Sequence, residues 1–86
     1  MKIVFSQYSW IDYNSWRADD KMVLRKINRL IKEIQLSPNQ ESGKPAPLKF
    51  DLHGLCSRRI DREHRLVYQV VGDELLIYSC RYHCDK

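Results

Sequence analysis

Between Lys44 and Arg65 the chain carries six basic side chains, Lys44, Lys49, Arg58, Arg59, Arg62 and Arg65, against three acidic ones. Four of the six are arginines, whose planar fork matches a phosphate group. Further along, His83 adds an imidazole that titrates near neutrality. Cations gathered around one imidazole suit RNA cleavage by internal transphosphorylation. In that reaction the ribose 2′-hydroxyl attacks the adjacent phosphorus. A base accepts its proton, and an acid protonates the departing 5′-oxygen. Cations stabilise the charge on the phosphorane oxygens. His83 is the candidate acid, and Lys49, Arg59 and Arg65 are the candidate cations. The chemistry calls for no metal and no cofactor. A plain charged sheet end is the competing reading of the same residues.

These side chains must be held by strands. Leu66 to Val71 and Leu75 to Tyr78 are the strongest strand signals, within predicted strands at 65–71 and 75–82. Two further strands are expected at 48–52 and 55–60, with turns at 61–64 and at Gly72-Asp73. The first turn sets Ile60 beside Arg65 and Arg59 beside Leu66. The second sets Arg65 beside Cys80. Arg59, Arg65 and His83 then converge on one end of the sheet, whichever face each side chain takes.

The amino-terminal half supplies what covers that sheet. Residues 2–5 read as a short strand, and Ser6 as a helix cap. Trp10, Tyr13 and Trp16 recur every three residues in a helix from Gln7 to about Ala18, and are assigned to the core rather than to base stacking. Asp19 or Asp20 caps a second helix with an apolar face of Val23, Ile27, Leu30 and Ile34. Its Arg25, Lys26, Arg29 and Lys32 lie largely off that face, either as a solvated surface or as a contact for nucleic acid. Ser37-Pro38 ends the helix, and 37–47 reads as a loop joining two halves of one domain, 1–86. Strand, two helices and an antiparallel meander make an α+β sandwich.

Composition narrows the classes. With 86 residues, 43% hydrophobic and 30% charged, the chain is too apolar for disorder and too charged for a membrane protein. No apolar run nears the roughly 18 residues that span a bilayer. Met1 to Phe5 is followed by polar residues rather than a signal-peptide core, so a cytoplasmic location is expected. A net charge of +4 permits an anionic partner. Cys56, Cys80 and Cys84 are an odd set, which argues against a disulfide framework. Cys80, His83 and Cys84 match no common zinc spacing, so no metal site is expected.

Several motifs occur in order. They are Gly43-Lys44-Pro45-x-Pro47-Leu48-Lys49, Leu52-x-Gly54, Ser57-Arg58-Arg59-Ile60, Glu63-His64-Arg65-Leu66-Val67-Tyr68 and Cys80-Arg81-Tyr82-His83. With Trp10, Asp12, Tyr13, Asp20-Lys21 and Lys26-Ile27-Asn28, the set resembles the YoeB (Txe) toxins of the RelE/ParE superfamily over nearly the whole chain. The resemblance implies a microbial-ribonuclease-like fold, β-α-α-β-β-β(-β), with two helices packed on a mostly antiparallel sheet. It implies the toxin of a type II toxin–antitoxin pair that cleaves messenger RNA in the ribosomal A site. It also implies a YefM-type antitoxin as partner, and family members often pair as homodimers. By motif, the proton-donor role falls on His83, and the phosphate-binding roles on Lys49, Arg59 and Arg65.

Two positions depart from the family pattern. Ala46 stands where the general-base glutamate belongs, and Cys84 stands where a site-shaping tyrosine belongs. A methyl group accepts no proton, so general-base catalysis worth roughly a hundred- to ten-thousand-fold is at stake. The alanine is compatible with an engineered silencing change, with natural attenuation, or with a base supplied from elsewhere, the ribosome included. A thiol also forms a weaker hydrogen bond than a phenol. Two other functions fit the fold. One is a ParE-like toxin that binds DNA gyrase. The other is a dead toxin that serves only to bind its antitoxin and repress their operon.

Overall fold

The computed structural model describes residues 1–36, 46–47 (backbone only) and 54–81. A first strand, β1 (Lys2–Phe5), leads into helices α1 (Gln7–Asp19) and α2 (Lys21–Leu36). Strands β2 (Ala46–Pro47), β3 (Cys56–Arg59), β4 (Arg65–Val71) and β5 (Glu74–Ser79) follow. The sheet order is β1-β5-β4-β3-β2, with β1 parallel to β5 and the other pairings antiparallel. The expected α+β fold is therefore present, two helices on a mostly antiparallel sheet.

Local chemistry sets the element ends. Ser6 Oγ accepts the backbone N–H of Ser9 at 3.1 Å and caps α1. Asp20 Oδ1 accepts from the N–H groups of Met22 and Val23 and starts α2, so Asp20 is the cap rather than Asp19. At the β3–β4 turn, Asp61 Oδ1 accepts from the N–H groups of Glu63 and His64. Gly72 holds a left-handed φ of +58° in the β4–β5 turn, where a side chain would be strained.

The helices cover one face of the sheet. Ile27, Leu30, Ile31 and Ile34 of α2 and Trp16 of α1 meet Leu66, Tyr68, Leu75 and Ile77. Burial of each such side chain contributes about 1.5–3 kcal/mol. The aromatic triplet of α1 does not enter the core together. Trp16 is buried, but Trp10 is 52% exposed and stacks on Tyr13 at 5.9 Å. The reason is helical phase: steps of three residues drift by about 60° each, so Trp10 and Trp16 point about 120° apart.

Two registers differ from those the turns imply. His64 O accepts from the Ile60 and Asp61 N–H groups. The turn thus closes one residue early, and Arg59 pairs with Arg65 and Arg58 with Leu66. In the β4–β5 ladder a bulge puts Ser79 opposite Val67, where the turn alone would put Tyr78. Ser6 Oγ donates to the Tyr78 carbonyl oxygen at 3.1 Å, which ties the bulge to the start of α1. Residues 46–47, within the expected loop 37–47, form a short edge strand. The strand expected at 48–52 lies outside the described residues.

Candidate active site

The helix-free face of the sheet carries the candidate site residues that fall among the described residues. Side chains alternate along β4, so Leu66 and Tyr68 enter the core while Arg65 and Val67 take the other face. Ser57 and Val67 are direct partners across β3 and β4, as are Arg59 and Arg65, and direct partners share a face. Ser57 and Val67 are both buried there, at 1% and 2% exposure. Arg59 is exposed and Arg65 half-buried.

Two like charges directly opposite each other destabilise a sheet. Arg59 and Arg65 are such a pair by register. Arg65 is also held in place. Its Nε donates to Ser57 Oγ at 3.0 Å. That is its one hydrogen bond among the described residues, and it uses Nε rather than the terminal fork that grips a phosphate. Ser57 is in turn the backbone partner of Ala46. Position 46 on β2 is thus in register with Ser57 on β3, and the Ser57 hydroxyl receives Arg65, which stands two residues along β4 from Val67, the partner of Ser57.

Ser57 was not singled out for a role. The period of two would have put it on the face of Arg59, and the register then adds Arg65. Arg58 leaves the group. It takes the core face at 2% exposure, donates from Nε to Tyr68 Oη at 3.2 Å and pairs with Glu33 at 3.6 Å. The six-residue basic cluster is therefore not one surface, and Arg58 is a structural cation between helix and sheet. Lys49, His83 and Cys84 lie outside the described residues, so of the expected set Arg59, Arg65 and the backbone of Ala46 are placed.

The chain leading toward His83 is anchored as far as Arg81. Cys80 N–H donates to Asp12 Oδ2 at 3.1 Å, and Trp16 Nε1 donates to Cys80 O at 2.9 Å. Arg81 pairs with Asp19 at 2.9 Å, donates to Ser15 Oγ and lies over the Trp16 ring at 4.1 Å. Helix α1 thus fixes the backbone two residues before His83.

Cys80 serves packing here. Burial, reinforced by the Asp12 carboxylate and opposed by Arg81, pushes its thiol up to about 12. The folded protein keeps this proton while the unfolded chain releases it near 9. The contribution of Cys80 to stability is therefore full below about pH 9 and is lost as pH rises toward 12. Denaturant titrations across that range should give a steeper decline for the parent than for Cys80→Ala; equal slopes would refute this assignment.

Two helices thus cover one face of a mixed sheet, and the other face carries the arginine pair. The comparisons carry this to a family. Residues 5–84 match the profile of the YoeB-like toxin of bacterial type II toxin–antitoxin systems. The chain is 53% identical over 83 residues to toxin YoeB of Escherichia coli K12, covering 96% of this chain and 99% of that protein. It is similar to a YoeB dimer from Staphylococcus aureus, with a TM-score of 0.90 and 44% identity over 96% of this chain and 97% of that one. A heterotetrameric YoeB–YefM toxin–antitoxin complex from the same species superposes with a TM-score of 0.85 at 43% identity, again over 96% and 97%. The chain belongs to the YoeB-like family of type II toxins.

Proposed function

We propose that this chain is a ribosome-dependent endoribonuclease that cleaves messenger RNA in the ribosomal A site, attenuated by Ala46. The observation that carries the reading is the Ser57-held Arg65 opposite Arg59, with position 46 in register beside Ser57. The scissile phosphate sits at the arginine pair. Arg65 and Arg59, with Lys49, neutralise the phosphorane oxygens. His83 protonates the 5′-oxygen. The slot that should hold the base holds a methyl group, so removal of the 2′-hydroxyl proton becomes the slow event. No metal ion enters this scheme.

The partner is a YefM-type antitoxin, whose acidic segment folds over the basic face and masks it. The toxin pairs with a second copy and works in the cytoplasm. No helix among the described residues is long and apolar enough to cross a membrane. Ala46 favours one second reading: a catalytically dead toxin that binds its antitoxin as co-repressor. Gyrase inhibition, as in ParE, is the other alternative, and the Glu63-His64-Arg65 and Arg81-Tyr82-His83 segments favour cleavage over it.

The test is a cell-free translation reaction on a defined message, with 5′ ends mapped for the parent and for Ala46→Glu. A-site cuts by the Ala46→Glu form support the reading. Tight antitoxin binding with no cuts by either form selects the co-repressor, and loss of DNA supercoiling with intact translation selects gyrase.

Ser57 acts in this scheme as a positioning residue. In the Ala46→Glu background, Ser57→Ala frees the Arg65 guanidinium and is expected to lower the cleavage rate about tenfold, with little change in KM. Ser57→Thr keeps a hydroxyl and should restore most of the loss. Equal loss in both variants would assign Ser57 to packing alone.

A further inference from the structure

Helix α2 has five basic residues and one acidic residue, Glu33. Glu33 is occupied, since it pairs with the buried Arg58. The remaining charges are not arranged to stabilise the helix. The Asp20 carboxylate caps the amino-terminal end, but no basic residue occupies the last turn, so the macrodipole is uncompensated at the carboxy-terminal end. Lys21, Arg25 and Arg29 follow each other at spacings of four, and Lys32 comes three further on. Like charges at these spacings each cost the helix a few tenths of a kcal/mol.

All four are exposed, and none is in an ion pair among the described residues. The buried stripe of Ile27, Leu30, Ile31 and Ile34 packs on the sheet, so these four project from the opposite side of the helix. They form a row about 16 Å long with no carboxylate in it. The row lies on the outside of the helical layer, whereas Arg59 and Arg65 lie on the opposite face of the sheet.

We propose that the α2 row of Lys21, Arg25, Arg29 and Lys32 is a docking surface for the phosphate backbone of double-helical ribosomal RNA, separate from the cleavage face. This rests on the ribosome-dependent reading above and adds where the ribosome is gripped. The match is one of charge and shape. A straight row of cations on a rigid rod meets the regular line of phosphates along a duplex, and releases their counterions. A single-stranded message offers no such line, and the site face already serves it. A toxin of this size then holds the ribosome with its helical side and presents its sheet to the A-site codon.

The test compares the full-length parent with Arg25→Gln/Arg29→Gln/Lys32→Gln. Co-sedimentation with purified ribosomes is measured over a range of salt concentrations. The variant should bind at least about tenfold more weakly near 100 mM salt, and the slope of log K against log salt should lose about two to three. Its Tm should hold or rise, because like-charge pairs are removed. Its affinity for a YefM-type antitoxin should not change. Unchanged ribosome affinity and slope would overturn the proposal. So would an equal loss of antitoxin affinity, which would give the row to the antitoxin. A 20-base-pair RNA duplex and the matching DNA duplex complete the set, and tighter parent binding to DNA also overturns it. If the parent binds ribosomes through the row but neither it nor the Ala46→Glu form makes cuts, the cleavage reading fails and the docking proposal stands. If the parent does not bind ribosomes, both fail.

Discussion

Ala46→Glu is expected to raise cleavage at ribosome-bound codons by about a hundred- to ten-thousand-fold, the usual range for a positioned general base. The substitution adds one carboxylate at a backbone position that pairs with Ser57. Ser57 holds Arg65 at 3.0 Å, so the new group is added two strands from Arg65, with Ser57 on the strand between them. The arginines favour its ionised form, the form that accepts a proton. Ala46→Gln has similar size without the proton acceptor and should stay at the parental level. Single-turnover cleavage on programmed ribosomes measures all three forms. If Gln restores as much activity as Glu, the side chain acts by packing and the missing-base account is wrong.

Arg65→Ala carries the second largest expected effect. In the Ala46→Glu background it should lower the cleavage rate about a hundred- to a thousand-fold, as loss of a preorganised donor to a developing oxyanion does elsewhere. Arg65→Lys keeps the charge without the fork or the Nε–H that reaches Ser57, and should recover only part of the rate. Stability should move little. Loss of the Ser57 hydrogen bond costs about 1 kcal/mol, and relief of the Arg59–Arg65 repulsion offsets part of it. Parallel rate and Tm measurements separate the two. A large fall in Tm with an equal fall in rate would make Arg65 a structural residue.

Much of the fold is legible in the residues. β1 and β4 fall where their β-branched and aromatic runs place them, and Ser6 starts α1 as its side chain predicts. The second helix follows from its apolar spacing, which is the signal that burial enforces. What the sequence does not carry is relational. Nothing in Lys2–Phe5 says that it pairs in parallel with Glu74–Ser79. Ala46-Pro47 looks like loop because two residues are too few to show a period, and proline is tolerated at a sheet edge.

The site was legible in type more than in placement. Arg59 and Arg65 share one sheet end, as the turn demands, but the turn closes one residue early through His64 O and makes them direct partners. Arg58 looked equal to its neighbours because basic composition ignores which face a residue takes. Alternation sends Arg58 to the core side, where Glu33 and Tyr68 receive it. The anchoring of Cys80 and Arg81 by Asp12, Ser15, Trp16 and Asp19 joins parts more than sixty residues apart, which no local pattern encodes.

The most direct measurement uses the Ala46→Glu form on programmed ribosomes whose message carries a 2′-deoxynucleotide immediately 5′ of the cut. The account predicts A-site cleavage of the all-ribose message, leaving a 2′,3′-cyclic phosphate and a 5′-hydroxyl, and no cleavage of the deoxy message. Cleavage that persists without the 2′-hydroxyl would contradict it, because water would then be the nucleophile and the arginine face would be serving a different reaction.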